Sequence, residues 1–181
     1  MRLSLQSLGP QFDFERSLAE GDLDVVIGNW PEPPHRMHLS MLLEDEIVCL
    51  VSRRHPLAGK ALTTDDYQRA AHVVPMPYSI SQRGVIDTVL AASRISRDER
   101  VVVQSFSAAP YLLHDTDLVF TTTRHFACYY ADLLPLAILP SPIPFPPMRF
   151  YQLWHERNHQ SAAHRWIRRL LGDCGRALKA A

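Results

Sequence analysis

Apolar and polar positions along this chain switch repeatedly between a period of two and a period near 3.6, the signature of strands alternating with helices. Arg2 to Leu8 alternates, with Leu3, Leu5 and Ser7 on one side and Ser4, Gln6 and Leu8 on the other, and predicts a short strand. Asp13 to Glu20 predicts a helix with Phe14 and Leu18 on its apolar face. Gly21 closes it, because glycine accepts the positive φ common just past a helix end. Val25, Val26 and Ile27 form the continuous apolar run of a buried parallel strand. The chain therefore opens as strand, helix, strand, a βαβ unit.

A stiff loop, Trp30 to Pro34, leads to two further strands, Met37 to Leu43 and Ile47 to Val51, separated by the acidic Glu44, Asp45 and Glu46. Thr64, Asp65 and Asp66 can cap a short helix. A second set of alternating elements follows. His72 to Val74 is a strand ended by Pro75. Ser79 or Ser81 caps a helix running to about Ser93, striped by Val85, Ile86, Val89 and Leu90. Val101 to Val103 is a strand, and Ser107 caps the next helix, whose first turn accommodates Pro110. Leu118 to Phe120 is a strand, Arg124 to Leu133 a helix, and Leu136 to Leu139 a strand. Five prolines between Pro140 and Pro147 mark a joint. Phe150 to Trp154 returns to strand character. Ser161 caps a long last helix with Trp166, Ile167, Leu170, Leu171, Cys174 and Leu178 as its apolar face and Arg165, Arg168, Arg169, Arg176 and Lys179 mostly opposite.

Composition narrows the function classes. Nineteen basic residues balance nineteen acidic ones in 181 residues, so no net charge draws the chain to nucleic acid or an anionic membrane. Arg165, Arg168 and Arg169 read as the solvated face of the last helix rather than as a DNA contact. Cys49, Cys128 and Cys174 are odd in number and widely spaced, which argues against a disulfide framework and a thiolate zinc site and for a cytoplasmic setting. Cys128, among Tyr129 and Tyr130, reads as buried packing. No signal-peptide pattern and no membrane-length apolar run is present. Glycine-rich phosphate loops and the G-x-S-x-G nucleophile elbow are absent too, so the chain does not read as an enzyme, and no cofactor is expected.

His155 to His159 spells H-E-x-x-H, the zincin motif, in which a helix brings two histidines onto one metal. Here it falls between a predicted strand and the last helix, so a crossover loop is the reading preferred to a zinc hydrolase.

Four fragments, in order, resemble one family. Gly21 to Gly28 resembles the "G-x-L-D-hydrophobic-hydrophobic-I-G" segment of LysR-type transcriptional regulators. Arg54 to Ala58 resembles their "hPLa" element. Ser107 to Leu113 followed by Thr116 to Thr122 resembles their helix–"tdlv"–strand element. Leu153 to His159, with Ala163 to Arg168, resembles the "LxWHxRxxxDPAHxWLR" ending of the branch containing nodulation and aromatic-catabolism regulators. The resemblance implies an α/β fold like that of periplasmic binding proteins: two Rossmann-like lobes joined by two crossover strands. Lobe one would be residues 1–72 and 149–181 and lobe two residues 73–148, with the family's first strand and helix of lobe one, and its winged helix-turn-helix, missing. It implies an effector-sensing and oligomerisation domain, homo-oligomeric in the full-length parent, without direct DNA contact of its own. A solute-binding protein of a transport system is the alternative.

In open α/β sheets ligands bind beyond the carboxyl ends of strands. Those ends carry Trp30, Tyr78, Ser79, Ser81, Ser105, Phe106, Ser107 and Thr122, the expected effector-binding residues. Helix starts after Ser81 and Ser107 would favour an anion such as a carboxylate. Trp30, Tyr78 and Phe106 would flank an aromatic ring.

Overall fold

A computed structural model describes residues 2–7, 9, 12–29, 33–76 and 84–180, the last two by backbone alone. It divides into two compact units, residues 1–11 with 46–146 and residues 12–45 with 147–181.

The first unit is a five-stranded sheet between two helical layers. Its strands are β3 (Ile47–Ser52), β4 (Ala71–Pro75), β5 (Asp98–Val103), β6 (Leu118–Thr123) and β7 (Leu136–Pro140), in the order β5-β4-β6-β3-β7. β4 runs parallel to β5 and β6, whereas β3 is antiparallel to both β6 and β7. Every residue of β3 is buried. Its apolar run serves two faces at once. Val48 and Leu50 join Phe120, Leu113 and Tyr130 under α4 (Ala109–Leu113) and α5 (Arg124–Leu133). Cys49 and Val51 join Tyr67, Leu90 and Val119 under α2 (Thr64–Arg69) and α3 (Val85–Ala92).

Three caps differ from the sequence expectation. α3 starts from Gly84, not from Ser79 or Ser81, which lie outside the described residues. Thr63, not the Thr64 cluster itself, is the N-cap of α2: its hydroxyl accepts from the Asp66 N–H while the Asp66 carboxylate accepts from the Thr63 N–H. Ser107 caps nothing. It lies inside a short 3-10 turn, Phe106–Ala108, and α4 starts from Ala108 with Pro110 in its first turn.

The second unit holds α1 (Phe14–Glu20), β1 (Val26–Gly28), β2 (Met37–Asp45), β8 (Met148–His155) and α6 (Ala162–Ala180). β8 lies between β1 and β2 and is antiparallel to both. α1 is closed at both ends: Asp13 accepts from the Arg16 N–H, and Gly21 takes φ +93° as the sequence predicts. Residues 2–7, in contrast, form no strand; Leu3 and Leu5 are exposed, so alternation without a neighbour to pair with produces no sheet. The opening βαβ unit is therefore absent among the described residues. β1 is not a buried parallel strand either, since it pairs antiparallel with β8 and leaves Ile27 exposed.

The largest correction concerns α6. The sequence assigns its apolar stripe to the core, yet Trp166, Leu170 and Leu178 are exposed while Arg168 and Gly175 are buried. Polar anchoring sets the rotation. Arg168 donates to the carbonyls of Asn158 and His159 and lies 4.5 Å over the Trp154 ring. Gln152 donates to the Arg168 carbonyl. Gly175 sits so close to Leu42 that an added Cβ would lie 2.4 Å from its carbonyl oxygen.

The division also differs from the expected one. Residues 46–72 belong with the five-stranded unit, because β3 is hydrogen-bonded on both edges to β6 and β7. The second boundary lies between Pro146 and Pro147.

Candidate functional site

The carboxyl edge of the five-stranded sheet follows from connectivity. α3 returns the chain from β4 to the parallel β5, so its start lies on the side where β4 ends. α5 likewise begins directly beyond β6. Gly84 and Thr123 precede these two helices, and neither makes a side-chain cap hydrogen bond. First-turn amides without such a cap favour an incoming anion.

Thr122 occupies the same face of β6 as Phe120. It is 1% exposed, and its Oγ1 has no hydrogen-bond partner among the described residues. Thr121 points the other way and shares a 2.8 Å hydrogen bond with the Tyr67 hydroxyl. Ser105 and Ser107, beyond β5, are exposed and joined hydroxyl to hydroxyl at 3.0 Å. Phe106 turns inward between them. Its ring is 5.1 Å from Phe120 and 4.7 Å from Phe126, both edge-on. Two edge-on neighbours make Phe106 a floor under this edge, packed on the core. Trp30, Tyr78, Ser79 and Ser81 lie outside the described residues.

The sequence reading missed one feature of the edge. Arg124, first residue of α5, donates from Nε to Glu46 Oε2 at 2.6 Å, and its N–H donates to the Glu46 carbonyl at 2.8 Å. The acidic Glu44 to Glu46 run was the available signal, but pairing across 78 residues needs the fold.

Other chemical candidates resolve differently. Burial pushes the Cys49 thiol up to about 12, so it stays protonated and unreactive near neutral pH. Cys128 is exposed rather than buried, because α5 turns it away from the Ala127 and Tyr130 face. His155 ends β8, Glu156 to Asn158 form a 3-10 turn, and His159 follows it, so no helix aligns the two imidazoles. His155 Nδ1 accepts from the Arg157 N–H. His159 Nδ1 accepts from Trp154 Nε1 at 3.3 Å, and its ring stacks on His38 at 4.1 Å. Arg36 holds the Glu156 carboxyl below its ordinary range through a 2.6 Å contact. Among the described residues no three His, Cys, Asp or Glu side chains converge on a metal position. No helix among them is long and apolar enough to cross a membrane.

Helices that begin at the carboxyl edge of parallel strands are the arrangement in which α/β units take small molecules. The family model for the LysR substrate binding domain matches residues 1–174, and the chain belongs to that family. It is 28% identical over 158 residues to the HTH-type transcriptional activator NahR of Pseudomonas putida, covering 87% of this chain and 52% of NahR. The crystal structure of the probable transcriptional regulator PA0477 from Pseudomonas aeruginosa superposes with a TM-score of 0.77 at 30% identity, over 87% of this chain and 51% of that one. The effector binding domain of QuiR in complex with shikimate shares the fold, with a TM-score of 0.75 at 18% identity over 93% of this chain and 79% of that one. The chain spans about half the length of the curated relatives it matches. These relatives are transcriptional regulators, and the two-lobed periplasmic-binding-protein-like architecture is the one their regulatory domains share.

Proposed function

We propose that this chain senses a small organic acid, and that its carboxylate is taken at the carboxyl edge of the five-stranded sheet. The observation that carries the reading is the buried, unpartnered Thr122 hydroxyl at the end of β6, on the sheet edge from which α3 and α5 begin. Backbone N–H groups at helix starts match a carboxylate, and a lone buried hydroxyl gains from any acceptor brought to it. Ser105 and Ser107 supply exposed hydroxyls at the neighbouring strand end, and Phe106 an apolar floor. The shikimate on QuiR supports an organic acid as the ligand class. Tyr78, Ser79 and Ser81 join the proposed set on sequence grounds.

In this reading the domain binds and does no chemistry. Ligand shifts the population between conformations of the parent regulator, a cytoplasmic homo-oligomer whose DNA contacts lie outside these residues.

The test is thermal unfolding of the chain with benzoate, salicylate and shikimate beside the neutral benzamide. A ligand at a hundred times its Kd adds about 2.7 kcal/mol of stability. At least one acid should raise Tm, and benzamide should not. Unchanged Tm with every acid at millimolar concentration rejects the proposal.

A further inference from the structure

β4 and β6 separate before they reach the edge that carries Thr122. Their parallel ladder covers Ala71 with Leu118 and His72 with Val119, yet β4 runs on to Pro75 and β6 to Thr123. From Phe120 to Thr123, β6 is paired with β3 on one edge, and among the described residues no ladder joins its other edge to β4. A strand end with fewer cross-strand bonds opens and twists more readily than one paired on both edges.

Tyr67 spans this separation. It is fully buried on α2, with its ring 4.5 Å from that of His72 on β4 and its carbonyl oxygen 2.7 Å from His72 Nε2. Its hydroxyl reaches β6 and shares a 2.8 Å hydrogen bond with Thr121 Oγ1. Thr121 is 3% exposed, so no bulk water competes for that bond. The Thr63–Asp66 capping box fixes the start of α2, and Leu62, Leu90 and Val119 enclose the Tyr67 ring. A phenylalanine ring would fill the same volume, so what the hydroxyl adds is the link to Thr121.

Thr121 and Thr122 are consecutive in β6, and their side chains stand on opposite faces of the sheet. Holding Thr121 on one face therefore sets the rotation of the strand end and the direction of Thr122 on the other. We infer that Tyr67 is a positioning residue of the carboxylate site: its hydroxyl, acting through Thr121, holds the Thr122 hydroxyl in place without touching ligand. For the ligand this rests on the acid-sensing reading above; for the orientation of Thr122 it rests on the fold alone.

The experiment takes the full chain, isotope-labelled at its threonine methyl groups, and reads side-chain rotamers from methyl three-bond couplings in the absence of ligand. Wild-type Thr122 should hold one rotamer. Y67F, which removes the hydroxyl alone, should average it, and so should T121V, which breaks the same bond from the other end. T121S keeps a hydroxyl and should match wild type. Thr116, bonded to the Leu112 carbonyl, is the control and should not change. Calorimetric titration then uses whichever of benzoate, salicylate and shikimate raises the wild-type Tm, at a temperature where every variant is folded. Y67F and T121V should each weaken Kd about fivefold, the share of one hydrogen bond. The double variant should lose no more than either single one, because both remove the same link. A Thr122 rotamer unchanged in Y67F and T121V overturns the inference. So does a lowered urea midpoint with an unchanged Kd, since Tyr67 is then purely structural. If no acid raises the wild-type Tm, the acid-sensing reading fails by itself and the rotamers alone decide the role of Tyr67.

Discussion

Two buried side chains carry opposite consequences for stability. Thr122 Oγ1 is desolvated without a partner, and such a group costs about 1–3 kcal/mol. T122V, which replaces that hydroxyl by a methyl, should leave the ligand-free chain as stable or up to about 1 kcal/mol more stable in urea unfolding. It should also shrink the Tm shift given by an effective acid. A large loss of stability in T122V would mean the hydroxyl is satisfied. His72 is fully buried, its Nε2 2.7 Å from the Tyr67 carbonyl oxygen, and desolvation lowers its pKa below the ordinary value. The folded state therefore resists a proton that the unfolded chain accepts near pH 6.5. Its stability contribution is complete above that pH and is lost as the pH falls below it. The urea midpoint should drop from pH 8 to pH 5, and H72Q, which keeps an N–H donor for Tyr67, should flatten the profile. A flat wild-type profile would contradict this. Neither residue's burial was legible beforehand. Composition marks Thr122 as a hydroxyl at a strand end, but only the register against β3 tells that its face is closed.

Elements were read unevenly, for reasons particular to each. β3 and α5 stood out because a run such as Ile47 to Val51 is buried on both faces and needs no knowledge of its neighbours. The opening segment misled because alternation describes a strand only when a partner supplies the ladder. α6 misled because hydrophobicity alone does not fix a helix's rotation when an arginine and a glycine make the closest contacts. Its two interior glycines make that statement measurable. Alanine is favoured over glycine inside a helix by about 1 kcal/mol. At Gly172 a Cβ meets only the far end of Arg176 at 3.7 Å, so G172A should stabilise by about that amount. At Gly175 the Cβ would press on the Leu42 backbone at 2.4 Å, so G175A should destabilise despite its better propensity. Equal signs in the two denaturation curves would dismiss the close approach of α6 to β2. The capping box of α2 gives a smaller check: T63A should lower stability by about 1 kcal/mol.

At the scale of the whole molecule, both large apolar clusters lie in the unit that contains residues 46–146, one on each side of β3. The second unit buries far fewer large side chains, chiefly Leu18, Val26, Leu153 and Trp154. Amide exchange should accordingly be slowest in β3, β4 and β6 and faster in β1 and β2. The sequence conveyed the α/β class and the ordering of elements, and it conveyed the edge that bears Ser105, Ser107 and Thr122. It placed residues 46–72 in the wrong unit because the pairing of β3 with β6 and β7 joins segments about seventy or more residues apart. That arrangement has a consequence for biosynthesis. A ribosome delivers residues 46–146 as one unbroken stretch, ready to condense as soon as it leaves the exit tunnel. β1 and β2, made earlier, have no ladder with each other and must wait for β8, which threads between them near the end of synthesis. A chain stopped at the Pro146–Pro147 junction would keep the five-stranded sheet and lose the other sheet entirely.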